Sequence, residues 1–295
     1  MEIEERRFEM NVRDFMKITK AEITVLIDIV AVTGFLVAPS SASRIILLVP
    51  LLISGTLASM SASVFNNVYD VDIDSRMKRT LSRNRIIHIG NRRSYLIMGI
   101  VMVLVSLPVA YFAINPLTSL FILGGFLSYV FLYTIFLKRR TTWNIVIGGI
   151  AGSFPALAGW AAVTGSVSFT SLFIAFLVFL WTPTHFWSLA AGNTEDYSRA
   201  EVPMLPAVVG IKRGSQWIFI NTLILVLYSI LPIFVHQIQV GMYYLPIAVL
   251  MDGIMLYFVV SSMLGDHKLE GFKKAFHASN YYLLFILVSI WIAFI

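Results

Sequence analysis

The chain has 295 residues, 58% of them hydrophobic and 13% charged, with no cysteine and a formal net charge of +6. A soluble domain carries about 25% charged residues, so this composition excludes an ordinary water-soluble globule, and the lack of thiols excludes disulfides and thiolate metal sites. The positive excess suits either nucleic acid or membrane topology, and its placement along the chain decides between them.

Residues 1–20 contain four glutamates and Asp14 and lack the apolar run and small-residue cleavage site of a signal peptide. They are expected to form a short cytoplasmic amphipathic segment. Residues 21–295 are expected to form a single transmembrane domain. A spanning helix needs about 20 mostly apolar residues, and nine stretches qualify: roughly 23–39, 45–64, 95–114, 117–137, 143–163, 168–190, 217–235, 242–263 and 281–295. The sequence therefore predicts an all-α integral membrane protein of about nine transmembrane helices. Of the 22 Lys and Arg residues, 21 fall on one side when these spans alternate, and only Arg44 falls on the other. The positive-inside rule then places the N-terminus and the basic loops in the cytoplasm. Spread over five helix ends, the bases mark topology, so no nucleic-acid partner is expected; the partner they imply is the lipid bilayer.

The acids are more selective. Only Asp28 and Asp252 lie within predicted spans, and intramembrane acids are functional candidates by default. The remaining acids are cytoplasmic, and two small groups stand out. In the first, Asn66, Asp70 and Asp74 follow one another at four-residue intervals as the second span ends, so on a helix they line one face, with Asn67 able to join Asp70 and Asp72 turned away. Stacked carboxylates need a cation between them, and hard oxygen donors suit Mg²⁺, which binds through one or two carboxylates plus substrate phosphates. The basic run of Arg76, Lys78, Arg79, Arg83 and Arg85 follows at once, and Arg is a bidentate phosphate donor. This arrangement reads as a metal-bridged diphosphate site. The second group, Glu195 and Asp196, lies just past the sixth span on the same side, where it can face the first. Pro183 is expected to kink that span. His185, among Trp181, Phe186 and Trp187, is suited to ligating a metal, bonding a carboxylate or acting as a base.

Together these stretches resemble the UbiA-type prenyltransferase superfamily and, within it, the protohaem IX farnesyltransferases. NNVYDVDIDSRMKRT resembles the superfamily's Asn-Asp-x2-Asp-x3-Asp signature. LKRRTTWNIVIGGIAGSFPALAGWAAVTG, WTPTHFWSLA and EDYSRAEVPMLPAVVG resemble the subfamily's basic loop with its Gly/Pro-rich fifth helix, its Trp-x-Pro-Pro-His-Phe-Trp segment and its Asp-Tyr-x3-Gly-x-Pro-Met-Leu-Pro segment. The chain departs from the family at Lys20-Ala21-Glu22, where Lys-Pro-Arg is usual, at Thr184, which replaces a Pro, and at Glu201, which replaces a Gly. The resemblance implies helices arranged around a central cavity and the transfer of a farnesyl group from farnesyl diphosphate, with Mg²⁺, to a vinyl group of haem b, water adding to give haem O.

On that reading Asn66, Asp70, Asp74 and Asp196 are the catalytic metal-holding residues, with Asn67 and Glu195 in support. Lys20, Arg79, Arg83, Lys138 and Arg139 bind diphosphate. His185, Tyr69, Tyr129, Tyr133, Phe186 and Trp187 line the haem and prenyl path. A downstream haem A synthase or a terminal oxidase assembly is the implied consumer of product. Two other classes fit parts of the pattern: a UbiA-type enzyme acting on a quinone precursor or another lipid acceptor, and a transporter or non-catalytic haem-handling protein.

Overall fold

The structure, a computed structural model, describes residues 11–88 and 90–292. Residues 1–10 of the N-terminal segment and 293–295 of the ninth predicted span lie outside the described residues. Every described element is helical. A short α1 (Val12–Ile18), capped by the Asn11 side chain, leads to α2 (Ala21–Leu36). A 3₁₀ turn (Ala42–Leu47) enters α3 (Leu48–Tyr69), and two short helices follow, α4 (Val71–Arg76) and α5 (Leu81–Asn84). Next come α6 (Arg92–Ala113) and α7 (Pro116–Leu127), the latter continuing as a π-helix (Ser128–Leu137). The glycine-rich fifth span is segmented into α8 (Asn144–Gly148), a 3₁₀ turn (Gly149–Ser153) and α9 (Phe154–Thr164). Then follow α10 (Phe169–Ala191), α11 (Thr194–Arg199), α12 (Leu205–Ser229), α13 (Tyr244–Leu264) and α14 (Lys268–Trp291).

All nine predicted spans coincide with long helical stretches. Seven of these, among the described residues, are long and apolar enough to cross a membrane. The other two differ for identifiable reasons: α2 has only 16 residues, and α14 opens with Lys268, Glu270, Lys273 and Lys274 before its apolar part. The predicted starts of the seventh and ninth spans fall about a dozen residues late. The charges Lys212 and Arg213 hide the first turns of α12, which also contains a break at Gly210 with φ 81°, and charges hide the first turns of α14 in the same way. α10 continues on both sides of Pro183, so the proline does not end the helix. Asn221 on α12 donates at 2.8 Å to both the Leu180 carbonyl and the Thr184 hydroxyl beside the proline.

α10 is the most enclosed, packed among α9, α12 and α14, while α3, α6 and α7 form the neighbouring arm. α2 and α9 meet backbone to backbone. A Cβ on Gly159 would lie 1.9 Å from the Ala31 carbonyl oxygen, and one on Gly34 would lie 2.2 Å from that of Ala156. With no hydrophobic effect between helices in lipid, such close van der Waals contact is a main source of association. The outer faces carry Ile97, Val101, Leu104 and other exposed apolar side chains, which suit hydrocarbon. Arg44, the base that the expected topology sets apart from the others, donates at 2.6 Å to the Val163 carbonyl and so satisfies the end of α9.

Gly159→Ala is expected to lower the unfolding free energy by about 3 kcal/mol or more, since the added methyl meets backbone that has no rotamer to yield. Thermal unfolding in detergent, with Gly253→Ala as the control where nothing lies within 4 Å, checks this.

Candidate active site

Where α3 leaves the apolar layer its chain does not stop turning. Asp70 caps α3, yet its carbonyl still accepts the Asp74 N–H at 2.8 Å, so Asn66, Asp70 and Asp74 keep a common face across the junction with α4. All three are buried. Asn66 Nδ2 donates to Asp70 Oδ2 at 2.8 Å and to Thr134 Oγ1 at 3.1 Å. Asn66 Oδ1 accepts from Lys20 Nζ at 2.6 Å.

Burying such charges costs several kcal/mol each unless partners are close, and the partners come from three other segments. Lys138 Nζ is in a short contact with Asp70 Oδ2, and Arg139 lies 3.6 Å from Oδ1. Arg83 lies 3.8 Å from Asp74. Lys20 reaches in from the turn between α1 and α2 with φ 52° and ψ 51°, a left-handed backbone that costs a non-glycine residue about 1–2 kcal/mol. Its ammonium also donates to Tyr129 Oη at 3.3 Å. Burial, reinforced by the charges of Arg83 and Lys138, lowers the Lys20 amino group to about 7. Burial also raises Asp74 above the usual carboxylate range, against the pull of Arg83. Burial works to lower Lys138 too, but the adjoining Asp70 carboxylate outweighs it and the net direction is upward.

Lys138 arrives through the π-helix. Its N–H bonds the carbonyl of Tyr133 five residues back at 2.8 Å, and Thr134 Oγ1 returns to the Tyr129 carbonyl at 2.9 Å. This wider turn brings Tyr129, Thr134 and Lys138 to one face. π-segments concentrate at functional sites, but no composition signal announces one, so Thr134 is a member of the cluster that sequence reasoning missed.

Asp196 of the second acidic group joins the loop after α4: its Oδ2 accepts the backbone N–H of Arg79 at 3.1 Å while Arg199 lies 3.3 Å from Oδ1. Glu201 pairs with Arg76 at 3.3 Å. Glu201 also has φ 55°, the left-handed conformation that explains why a glycine suits that position in the family motif. Several candidates stand apart from the buried cluster. Glu195 is exposed, and Arg79 is exposed and joins only through its backbone. Asp72 points outward to Arg139 at 2.7 Å, a bond that lowers its carboxyl, and Tyr69 lies under the same guanidinium at 4.8 Å. Asn67 turns aside, donating to the Ile18 carbonyl at 2.6 Å and thereby anchoring the turn that carries Lys20.

His185 lies on α10, away from the acids, with its ring stacked on Trp181 at 4.3 Å and tilted on Phe276 at 4.6 Å. Its Nδ1 is 2.8 Å from Ser279 Oγ, and that hydroxyl donates to the Phe276 carbonyl at 2.6 Å. The serine proton is thus committed, so Nδ1 carries the imidazole hydrogen and Nε2 keeps its lone pair. Phe186 packs edge-on against His185 at 4.8 Å, and Trp187 sits against Trp143 at 6.3 Å. Tyr133 packs on Tyr129 at 5.7 Å.

No group of three His, Asp or Glu residues is drawn together for a metal among the described residues; Asp70, Asp72, Asp74 and Asp196 each hold a base instead. The donor set nevertheless fits a hard cation. Asp70 Oδ1 and Asn67 Oδ1 are buried oxygens without a hydrogen-bond donor, and unsatisfied buried oxygens of this kind suit an oxygen-seeking ion.

The sequence model of the UbiA prenyltransferase family matches residues 28–292. Among similar curated proteins, protoheme IX farnesyltransferase 2 of Picrophilus torridus is 59% identical over 93% of this chain and 95% of its own. The protoheme IX farnesyltransferase of Saccharolobus islandicus is 37% identical over 95% and 96%. Among solved structures, a digeranylgeranylglyceryl phosphate synthase superposes with a TM-score of 0.74 at 16% identity, covering 96% of this chain and 98% of that one. A UbiA homologue from Archaeoglobus fulgidus bound to DMAPP and Mg²⁺ gives 0.64 at 16% identity, covering 93% and 99%. The chain belongs to the UbiA prenyltransferase family.

Removing one partner of the buried Asp70–Lys138 pair strands the other charge. Asp70→Ala is expected to destabilise the protein by about 3 kcal/mol, and Asp70→Ala with Lys138→Met to recover part of that loss. Unfolding curves of the wild type, both single variants and the double variant measure the coupling directly.

Proposed function

We propose that this chain transfers the farnesyl group of farnesyl diphosphate to a vinyl group of haem b, with addition of water, releasing haem O and diphosphate. The observation that carries the reading is the buried Asn66–Asp70–Lys138–Lys20 cluster at the end of α3, in a chain 59% identical to a protoheme IX farnesyltransferase. Haem b is here a substrate and not a cofactor. By the positive-inside rule, the basic loops support a site that opens to the cytoplasmic side of the cell membrane.

The chemical task is to ionise an allylic C–O bond inside an apolar bundle. Asn66, Asp70, Asp74 and Asp196 would hold Mg²⁺, with Asn67 and Glu195 supporting. The ion supplies Lewis-acid neutralisation of the charge that grows on the leaving diphosphate. Asp70 and Asp74 release Lys138, Arg139 and Arg83 to the phosphate oxygens as substrate arrives. Lys20 turns from Asn66 to the same group, and Arg79 covers it from the loop. Preorganised donors of this kind cost little reorganisation at the moment of reaction. The allylic cation then needs shielding from water, and the faces of Tyr129 and Tyr133 beside Lys20 stabilise positive charge; Tyr69 flanks the entrance through Arg139. His185, Phe186 and Trp187 would contact the acceptor, with Nε2 of His185 available to a metalloporphyrin as ligand or base. Haem O made here would pass to a haem A synthase or to terminal oxidase assembly.

Membranes containing the wild-type protein, given haem b, farnesyl diphosphate and Mg²⁺, are expected to form haem O by mass spectrometry. Asp70→Ala is expected to lower turnover at least about a hundredfold, as loss of one electrostatic donor does elsewhere. Prenylation of an aromatic quinone precursor or a glycerophosphate with no haem product would replace this reading by another acceptor. Mg²⁺-dependent turnover unchanged in Asp70→Ala would remove the metal assignment.

A further inference from the structure

Two intramembrane carboxylates remain outside the cluster, and they are held differently. Asp252 on α13 has a donor on each oxygen: Ser229 Oγ at 2.6 Å and Tyr282 Oη at 2.9 Å. It is a satisfied clasp between α12, α13 and α14. Asp28 on α2 is only half-buried, and a single donor, Thr56 Oγ1 at 2.8 Å, reaches its Oδ2. Residue 55 beside it is glycine. A Cβ there would come to 3.8 Å from Asp28 Oδ1, so the missing side chain leaves that oxygen uncovered.

The position of Asp28 is equally specific. Lys20, Thr24 and Asp28 recur every four residues along one face of α2, and Thr56, Ser59, Ser63, Asn66 and Asp70 share one face of α3. The two rows join like a ladder: Lys20 to Asn66 at 2.6 Å, Thr24 to Ser59 at 3.1 Å and Asp28 to Thr56 at 2.8 Å. The seam begins in the diphosphate cluster and ends at Asp28, eight residues further along α2 and therefore about 12 Å deeper. Polar residues at that depth are costly unless they line a cavity or a path.

We propose that this seam admits the water of the hydration step and that Asp28 accepts its proton. The inference rests on the haem farnesylation reading above. In that reaction the C1–O bond of farnesyl diphosphate breaks and diphosphate leaves with the electron pair. The π pair of the vinyl group forms the new C–C bond to C1, leaving a cation on the inner vinyl carbon. A water oxygen donates its lone pair to that carbon, and one of its protons passes to the Asp28 carboxylate, which returns it toward the cytoplasm along the Thr24 and Ser59 hydroxyls. Without the carboxylate to take the water proton, the cation instead loses a proton from the adjacent carbon to the released diphosphate and ends as an alkene lighter by one water.

The test measures, in full-length protein with haem b, farnesyl diphosphate and Mg²⁺, the amount of hydrated product formed per diphosphate released. Asp28→Asn is expected to lower this ratio about a hundredfold, with the unhydrated alkene appearing in its place, and Asp28→Glu to restore it. Thr56→Val keeps the carboxylate but removes its one donor, and is expected to shift the ratio in the same sense by a smaller factor; if Asp28→Asn does not accumulate, this variant decides. An unchanged ratio in Asp28→Asn or, failing that, in Thr56→Val overturns the assignment and leaves the farnesylation reading intact. So does a parallel loss of diphosphate release and hydrated product with no alkene, which marks a merely structural role. Absence of any haem product from the wild type overturns the farnesylation reading itself, and this role with it.

Discussion

The cytoplasmic end of this bundle depends on one constraint: a charge removed from water must be met by another charge or by a hydrogen bond. Asp70 meets Lys138 and Arg139, Asp74 meets Arg83, and Asn66 meets Lys20. These partners come from the start of α2, the end of α3 with α4, the short α5 and the end of the π-helix. Four chain segments distant in sequence are thus drawn to one point by electrostatics, on a scaffold held together by close helix packing and not by a water-driven core. The same pairing that steadies the free protein also stores the bases beside the acids, and that is the arrangement an anionic substrate with a divalent ion would exchange for its own contacts.

The architecture was largely legible because lipid imposes a simple code. Long apolar stretches, punctuated by bases on alternate loops, produced nine helical stretches in the right order. The errors fell where helices extend beyond the apolar layer, at the first turns of α12 and α14, since charge there signals water and not the end of a helix. At Pro183, Asn221 on a neighbouring helix satisfies the backbone beside the ring, and a sequence read one helix at a time carries no trace of that neighbour.

The site was legible in part. Four-residue spacing placed Asn66, Asp70 and Asp74 on one face, and it turned Asp72 outward. It did not reveal that Asn67 would spend its amide on the Ile18 carbonyl, or that Glu195 would face solvent while Asp196 turns in. One residue of rotation separates these outcomes, and tertiary contacts choose between them. The Asp28 seam lay in plain view as a four-residue repeat on α2, but its meaning required the partner row on α3, which only the packing supplies.

The π-helical end of the fourth span carries a different kind of information. A rod of constant period fixes its two ends together, so any demand for an outward-facing side chain at Leu120 would also dictate the bearing of Lys138. A change of period midway separates the two, acting as a rotary offset between the half that answers to the bilayer and the half that answers to the charges. Removing a single residue between Ser128 and Thr134 would move the helix toward ordinary pitch and swing everything beyond it by about 100°. One apolar residue would be lost and the rest retained, the span would still cross, and Lys138 would point elsewhere. In this part of the chain length is therefore as informative as residue identity, and a substitution table alone would overlook the change that matters most.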